Sequence, residues 1–284
     1  MARSSSRDYP EFYLVGAAKA GAETLGTWLA QHPEVFLPEN RAPRYFTHSG
    51  NDPRPTAGPY DRETLATAVT DAAEYLALYA GRGAAMRGDA SPCYLAHCEA
   101  ASRIAEARPD ARIVITLRDP VARAFAHYAD YRVQGLDPSP SFEEALAAEP
   151  QRLASGWSAW HGYAQQSHYV TQLQRYLDAF PREQILFLSY EALRETPAKV
   201  WEQLCAHLGL APAAIDLAPA AAPEPSQPGT VQRLLDRALP GRTAPAPALS
   251  ERTRRALAGR YLSEHAPLRR MTGLALESWS TPTG

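Results

Sequence analysis

Arg112 to Leu117 (RIVITL) is an almost unbroken run of β-branched and aliphatic side chains. A strand this apolar has no polar face to turn to water, so it belongs in a sheet covered on both sides, as parallel sheets with helical crossovers are. The flanking pattern agrees. Phe12 to Val15 is a short apolar strand ending at Gly16, and Leu25, Trp28 and Leu29 then recur at helical spacing until His32-Pro33 closes the helix. Glu34 to Leu37, Met86 to Ala90 and Gln184 to Leu188 predict further strands. Helices are expected over Asp61 to Tyr79, Ser102 to Ala107, the VARAFAHYADYRV segment after Pro120, His168 to Phe180, Pro197 to Leu208 with Gly209 as its stop, and Ser250 to Tyr261. HSGNDPRPTAGPY is a surface loop, and Ala211 to Gly229 and LPGRTAPAP are proline-rich connectors. Strands alternating with helices predict an α/β fold of three layers, a central parallel sheet flanked by helices, with ligands beyond the carboxyl ends of the strands. Residues 1–284 are read as a single domain.

Composition removes several classes of function. A net charge of −2 gives no general attraction to nucleic acid or an anionic membrane, so any anion must be held by a local pocket. No stretch has signal-peptide character and none approaches the roughly 18 apolar residues of a membrane span, so a cytoplasmic protein is expected. Three cysteines, Cys93, Cys98 and Cys205, suit a reducing compartment. The Cys93/His97/Cys98 spacing fits no familiar zinc pattern, and no metal is expected. Richness in Ala, Arg and Pro reads as a high-GC bacterial coding bias. Against that bias the chain keeps just two lysines, Lys19 and Lys199.

Lys19 lies in the loop Gly16-Ala17-Ala18-Lys19-Ala20-Gly21-Ala22-Glu23-Thr24, which leaves a buried strand and opens a helix. Free backbone N–H groups and the positive end of the helix dipole make such a turn a phosphate cradle, with Lys19 as a point charge. It is not a Walker loop, because no Lys-Ser/Thr pair follows the last glycine. A Gly/Ala-rich turn with a solvated lysine is the other reading of these residues taken alone. Arg118, at the end of the strongest strand, is placed to grip a second phosphate bidentately. Asp119-Pro120 also reads simply as a helix cap.

These segments resemble those of the nucleotide-dependent sulfotransferases, of the carbohydrate and heparan-sulfate branch and its bacterial relatives. YLVGAAKAGAETLGTWLAQHPEVFLPENRAPRYF looks like that family's phosphosulfate-binding loop and the segment after it. GDASPCYLAHCEAASRIAEARPDARIVITLRDPVARAFAHYADYRVQG resembles its 3′-phosphate strand and helix, SHYVTQLQRYLDAFPREQILFLSYEAL its later helix–strand unit, and PGRTAP with the closing helix and Trp279 its C-terminal nucleotide loop. The resemblance implies a P-loop-like fold. It implies metal-free transfer of a sulfuryl group from 3′-phosphoadenosine-5′-phosphosulfate (PAPS) to a hydroxyl or amine of a small metabolite or sugar, leaving 3′-phosphoadenosine-5′-phosphate (PAP). A bacterial enzyme of secondary metabolism, with a homodimer among the forms the wider family takes, goes with it. Carried over, Lys19 stabilises the bridging oxygen, Gly16, Ala18, Ala20, Gly21, Ala22, Glu23 and Thr24 cradle the 5′-phosphate, Arg118 holds the 3′-phosphate, Arg41 meets the sulfuryl oxygens, and Gly241 and Arg242 close over the nucleotide.

The chain departs from the family in places that bear on activity. Ala22 and Glu23 replace the loop hydroxyls, Ala126 replaces the serine at the 3′-phosphate, Pro240 a lysine, and Ala42 the glutamate base. Glu39, His48 and Glu23 are the remaining candidates for that base; each also reads as an ordinary solvated side chain, and His127 as a packed or capping one. Tyr60, Trp157, Trp160, Tyr163 and Tyr169 fall near the segments that cap the family's acceptor cleft, where core packing explains aromatics equally well. Two alternatives stay open: an enzyme on the same scaffold with a changed donor or reaction, and a non-catalytic relative.

Overall fold

The computed structural model describes residues 5–82, 86–217 and 247–279. Strands β1 (Phe12–Gly16), β2 (Val35–Phe36), β3 (Met86–Asp89), β4 (Arg112–Leu117) and β5 (Ile185–Ser189) form one sheet in the order β2-β3-β1-β4-β5. Every pairing is parallel. The RIVITL run sits beside β1 near the middle of the sheet, and apart from half-buried Arg112 it is shielded throughout. The chain leaves β1 toward the β2 edge and later crosses from β3 to β4 on the other side. This reversal makes the carboxyl ends of β1 and β4 the crevice where such sheets hold ligands.

The helices are α1 (Ala22–Leu29), α2 (Tyr45–His48), α3 (Arg62–Ala66), α4 (Ala72–Ala77), α5 (Ala100–Ala107), α6 (Pro120–Val133), α7 (Phe142–Ala154), α8 (Tyr169–Ala179), α9 (Tyr190–Glu195), α10 (Pro197–Leu208) and α11 (Glu251–Thr272). Local chemistry sets several boundaries: Asp119 caps the Ala122 N–H with Pro120 at the first position of α6, and α10 ends on left-handed Gly209. Three differ from the sequence reading. The helix expected over Asp61 to Tyr79 is two short ones, because Asp71 caps a new start and the Val69 N–H is taken by the Pro43 carbonyl. The final helix passes Tyr261 and runs through Pro267, since Leu268 and Thr272 still find a core to bury against. Helix α7 was not expected, its pattern being masked by Pro150 inside it.

One sheet face buries Tyr13, Val15, Ile113 and Ile115 with Ile104, Leu173 and Tyr176 of α5 and α8; the other buries Phe12, Leu14, Val114 and Leu188 against Leu25 and Trp28 of α1 and Leu204 and Leu208 of α10. A third cluster lies off the sheet, where α6, α7 and α11 pack Val121, Tyr128, Phe142, Leu257 and Tyr261 around Tyr163. Below the site, Asp89 ends β3 fully buried and accepts hydroxyls from Ser91 (2.5 Å), Tyr94 (2.7 Å) and Tyr75 (2.8 Å). Burial nevertheless pushes its carboxyl up to about 6.

Candidate functional site

The turn after β1 is built as an anion cradle. Gly16, Lys19 and Gly21 all have positive φ (132°, 65° and 93°). The Ala17 N–H goes to the Thr116 carbonyl (2.6 Å) and the Ala20 N–H to the Ala17 carbonyl (3.1 Å). Helix α1 begins at Gly21 with no side-chain cap, and its first helical hydrogen bond is Leu25 N to Gly21 O. Among the described residues no backbone acceptor takes the N–H groups of Ala18, Lys19, Gly21, Ala22, Glu23 or Thr24. Such a helix start favours an anion by geometry and by dipole. At Gly21 a Cβ would lie 2.6 Å from Leu193 Cδ2, and at Gly16 one would lie 2.5 Å from the Pro92 carbonyl oxygen, so neighbouring backbone and helix α9 hold the loop in place.

Arginines brace this loop from beneath. Arg118 donates to the Lys19 carbonyl (3.1 Å), and its guanidinium stacks on the Tyr190 ring at 4.4 Å. Its own carbonyl takes the Tyr169 hydroxyl (2.9 Å). Arg123 is fully buried and reaches the Ala18 carbonyl (3.5 Å), Ser167 Oγ (2.6 Å) and the Tyr163 carbonyl. Burial without a directly paired carboxylate lowers its proton affinity. Sequence reasoning missed Arg123 as a support of the loop; its position one helical turn past the Asp119-Pro120 start was the available signal.

The Lys19 ammonium turns toward α6 and pairs with Asp130 Oδ2 at 2.7 Å. Asp130 is 7% exposed and also accepts from Gln134 Nε2 (2.8 Å). Asp130 was not among the residues singled out by sequence. Arg41 is exposed and donates to Thr27 Oγ1 (3.1 Å), which itself donates to the Glu23 carbonyl one turn nearer the loop. The Glu23 side chain is exposed on the first turn of α1, and Glu39 is exposed in the segment before Arg41. His48 ends α2 facing His97 and Arg44; desolvation, then those two charges, lower it to about 4. Ala126 is half-buried on α6 and offers no hydroxyl beside Arg118, and Ala42 offers no carboxylate. Gly241, Arg242 and Pro240 lie outside the described residues.

The loop 49–61 packs against the segment that follows α7. Thr56 and Ala57 N–H groups both bond to the Gly156 carbonyl (3.1 Å), and Gly58 lies flat against Trp157. Asp61 caps α3 through the Thr64 N–H and acts electrostatically on Tyr131, next to Asp130. Tyr60, Trp157 and Trp160 are half-buried near this loop, whereas Tyr163 and Tyr169 are fully buried core residues. His127 is buried among the rings of Tyr131, Trp160 and Tyr163, a packed histidine with its proton affinity lowered by burial. Trp279 is buried beside Tyr169.

Comparison with known proteins agrees with this arrangement. A model of the sulfotransferase family matches residues 10–213. Heparan sulfate glucosamine 3-O-sulfotransferase 3B1 of Mus musculus is 26% identical over 209 residues, 73% of this chain and 48% of that protein. The bifunctional heparan sulfate N-deacetylase/N-sulfotransferase 3 of Mus musculus is 25% identical over 217 residues, 72% of this chain and 22% of that protein. The chain thus matches at most about half the length of either relative. Among solved structures, a sulfotransferase from Alicyclobacillus acidocaldarius superposes with a TM-score of 0.78 at 29% identity, covering 95% of this chain and 98% of the other.

Proposed function

We propose, since this chain belongs to the sulfotransferase family, that it transfers a sulfuryl group from PAPS to a hydroxyl or amine of a sugar or small metabolite. The observation that carries this reading is the uncapped start of α1: consecutive N–H groups without backbone acceptors, a lysine whose side chain leaves the same loop, and Arg118 beneath it. Those groups fit an anionic donor. The N–H groups of residues 18 and 21–24 would hold its 5′-phosphate, and Arg118 its 3′-phosphate with backbone help in place of the serine lost at Ala126. The bound donor supplies an activated sulfuryl group whose leaving oxygen belongs to a phosphate. Lys19, a compact ammonium, meets the charge that develops on that oxygen, and fixed donors in a sheltered cleft lower the cost of that charge. Arg41, hydrogen-bonded to Thr27 of α1, would meet the sulfuryl oxygens, and Gly241 and Arg242 would close over the nucleotide. The half-buried Tyr60 and Trp160 would supply apolar surface for a sugar or aromatic acceptor, whereas the Trp157 ring is covered by Gly58 and the Arg152 guanidinium.

The relatives whose printed names specify heparan sulfate motivate a carbohydrate acceptor as the first to be tried. A bacterial source, a cytoplasmic location and service in secondary metabolism complete the reading; no helix among the described residues is long and apolar enough to cross a membrane. Calorimetric titration with PAP tests the core of it. Micromolar binding is expected, weakened about tenfold or more, roughly 1.4 kcal/mol, by Lys19→Ala and by Arg118→Ala. A folded wild-type chain that binds no PAP overturns the assignment and leaves an altered donor as the alternative.

A further inference from the structure

The base that the acceptor needs is not at Ala42, and the structure offers another group. We infer that Asp130 takes the acceptor's proton, and that it is held in reserve by Lys19 until the donor arrives; this rests on the PAPS-dependent reading above. Asp130 Oδ2 lies 2.7 Å from Lys19 Nζ, in a pair whose side chains are 24% and 9% exposed. It is the one carboxylate ion-paired with Lys19 among the described residues. Of the competing groups, Glu23 and Glu39 point to solvent, His48 faces His97 and Arg44, and Asp61 is spent on capping α3.

Helix α6 explains the placement. It starts just after Arg118, and Asp130 stands ten residues beyond Pro120, about 15 Å along the axis at 1.5 Å per residue. The chain thus runs from Arg118, given to the 3′-phosphate above, along α6 to the carboxylate, whose neighbour Tyr131 feels the charge of Asp61 at the end of the loop 49–61. In-line transfer sets the acceptor oxygen across the sulfur from the leaving oxygen, and a carboxylate one hydrogen bond from the ammonium that meets that leaving oxygen is near enough, by this proposal, to face the acceptor's proton. Lys19 cannot serve Asp130 and the leaving oxygen equally well. When its ammonium turns to the donor, Asp130 loses a positive charge at 2.7 Å, and a carboxylate with less positive charge beside it binds a proton more readily. Gln134 keeps the carboxylate oriented through the exchange. In the step, the acceptor O–H bond breaks as the new O–S bond forms. The bond from sulfur to the bridging oxygen breaks with its electron pair staying on the phosphate beside Lys19, and the proton moves to Asp130.

The inference predicts effects of opposite sign. In Asp130→Asn, PAP binding is expected to be unchanged or tighter, up to about tenfold, because a competing negative charge has gone. Transfer from PAPS is expected to fall about 10²-fold or more. Three acceptors serve as probes: a desulfated heparan oligosaccharide, 4-methylphenol and 4-nitrophenol. The loss should shrink in that order, since a more acidic hydroxyl needs less help from a base, and Asp130→Glu should recover part of the rate. Circular dichroism confirms folding of each variant. Parallel loss of PAP binding and transfer makes Asp130 only an anchor for Lys19 and overturns the proposal, as does transfer kept within a few-fold on all three acceptors. A wild-type chain that binds PAP but transfers to none of them refutes it too, whereas no PAP binding at all refutes the donor reading first.

Discussion

Gly16 shows how narrowly the loop is specified. Its φ of 132° is open to glycine and strained for any other residue, and a Cβ there would meet the Pro92 carbonyl oxygen at 2.5 Å and Leu95 Cβ at 2.9 Å. Both obstacles belong to a segment anchored by the Leu95 N–H to Val15 carbonyl bond (2.7 Å), so they cannot retreat cheaply. Gly16→Ala should therefore cost about 3 kcal/mol or more in urea unfolding, with PAP affinity falling in whatever folded protein remains. The glycines and Lys19 of this loop were legible in sequence as an anion cradle, because a Gly-bounded turn between strand and helix has few other uses. The partner of Lys19 was not: Asp130 is more than a hundred residues away, and only the packing of α6 across the ends of β1 and β4 makes them neighbours.

Among the elements, α11 does the most to close the molecule around the site. Its Leu257, Ala258 and Tyr261 enter the third cluster, the Tyr261 hydroxyl donates to the Ala164 carbonyl (3.0 Å), and Glu264 bonds His168 Nδ1 (2.6 Å) and the Val170 N–H (3.1 Å) at the start of α8. Ala164 in turn gives its N–H to Glu149 of α7 (2.9 Å), and its neighbour Tyr163 lends a carbonyl to Arg123. Removing the ring in Tyr261→Ala should cost about 3–5 kcal/mol. Tyr261→Phe, which only orphans a buried carbonyl, should cost about 1 kcal/mol, both read from denaturant midpoints at unchanged m. If the cluster supports Arg123 and through it the Ala18 carbonyl, Tyr261→Ala should also weaken PAP binding while Tyr261→Phe leaves it intact.

At the scale of the whole molecule, buried titratable groups set how the fold responds to acid. His48 and His207 are both lowered to about 4, chiefly by desolvation, and burial moves His97, His127 and His161 the same way. In the unfolded chain these rings take a proton near pH 6.5, so below that the unfolded state gains protons that the folded state refuses. Stability from this source is complete above about pH 6.5 and is lost as pH falls toward 4. Asp89 works in the opposite sense: its carboxyl, raised to about 6, is protonated in the folded state first and gains stability over the same range. Burial raises the Glu149 carboxyl as well, so five histidines oppose two carboxyls, and the melting temperature should fall between pH 7 and pH 5. The fall should be shallower in His207→Gln and steeper in Asp89→Asn, measured by scanning calorimetry. A flat profile would mean that the histidines reach water in the folded state.

The amino-acid sequence by itself determined the five strands, the helices that follow β1 and β4, and the stop of α10. Arg112–Leu117 emerged with the boundaries its β-branched run dictates, α10 stopped at Gly209, and the turn at Gly16 joined strand to helix where the glycines allow it. These features depend on residues within a few positions of one another, and local sterics and hydrophobic period act over that range. Tertiary structure decided what local patterns do not encode. It let α11 continue through Pro267 because a buried surface was waiting for Leu268, split the helix before Tyr79 because Pro43 offered a carbonyl to Val69, and buried Arg123 under the loop. It also joined Lys19 to Asp130, a contact whose energy exists only once the sheet has brought β1 and β4 side by side and α6 has packed over their ends.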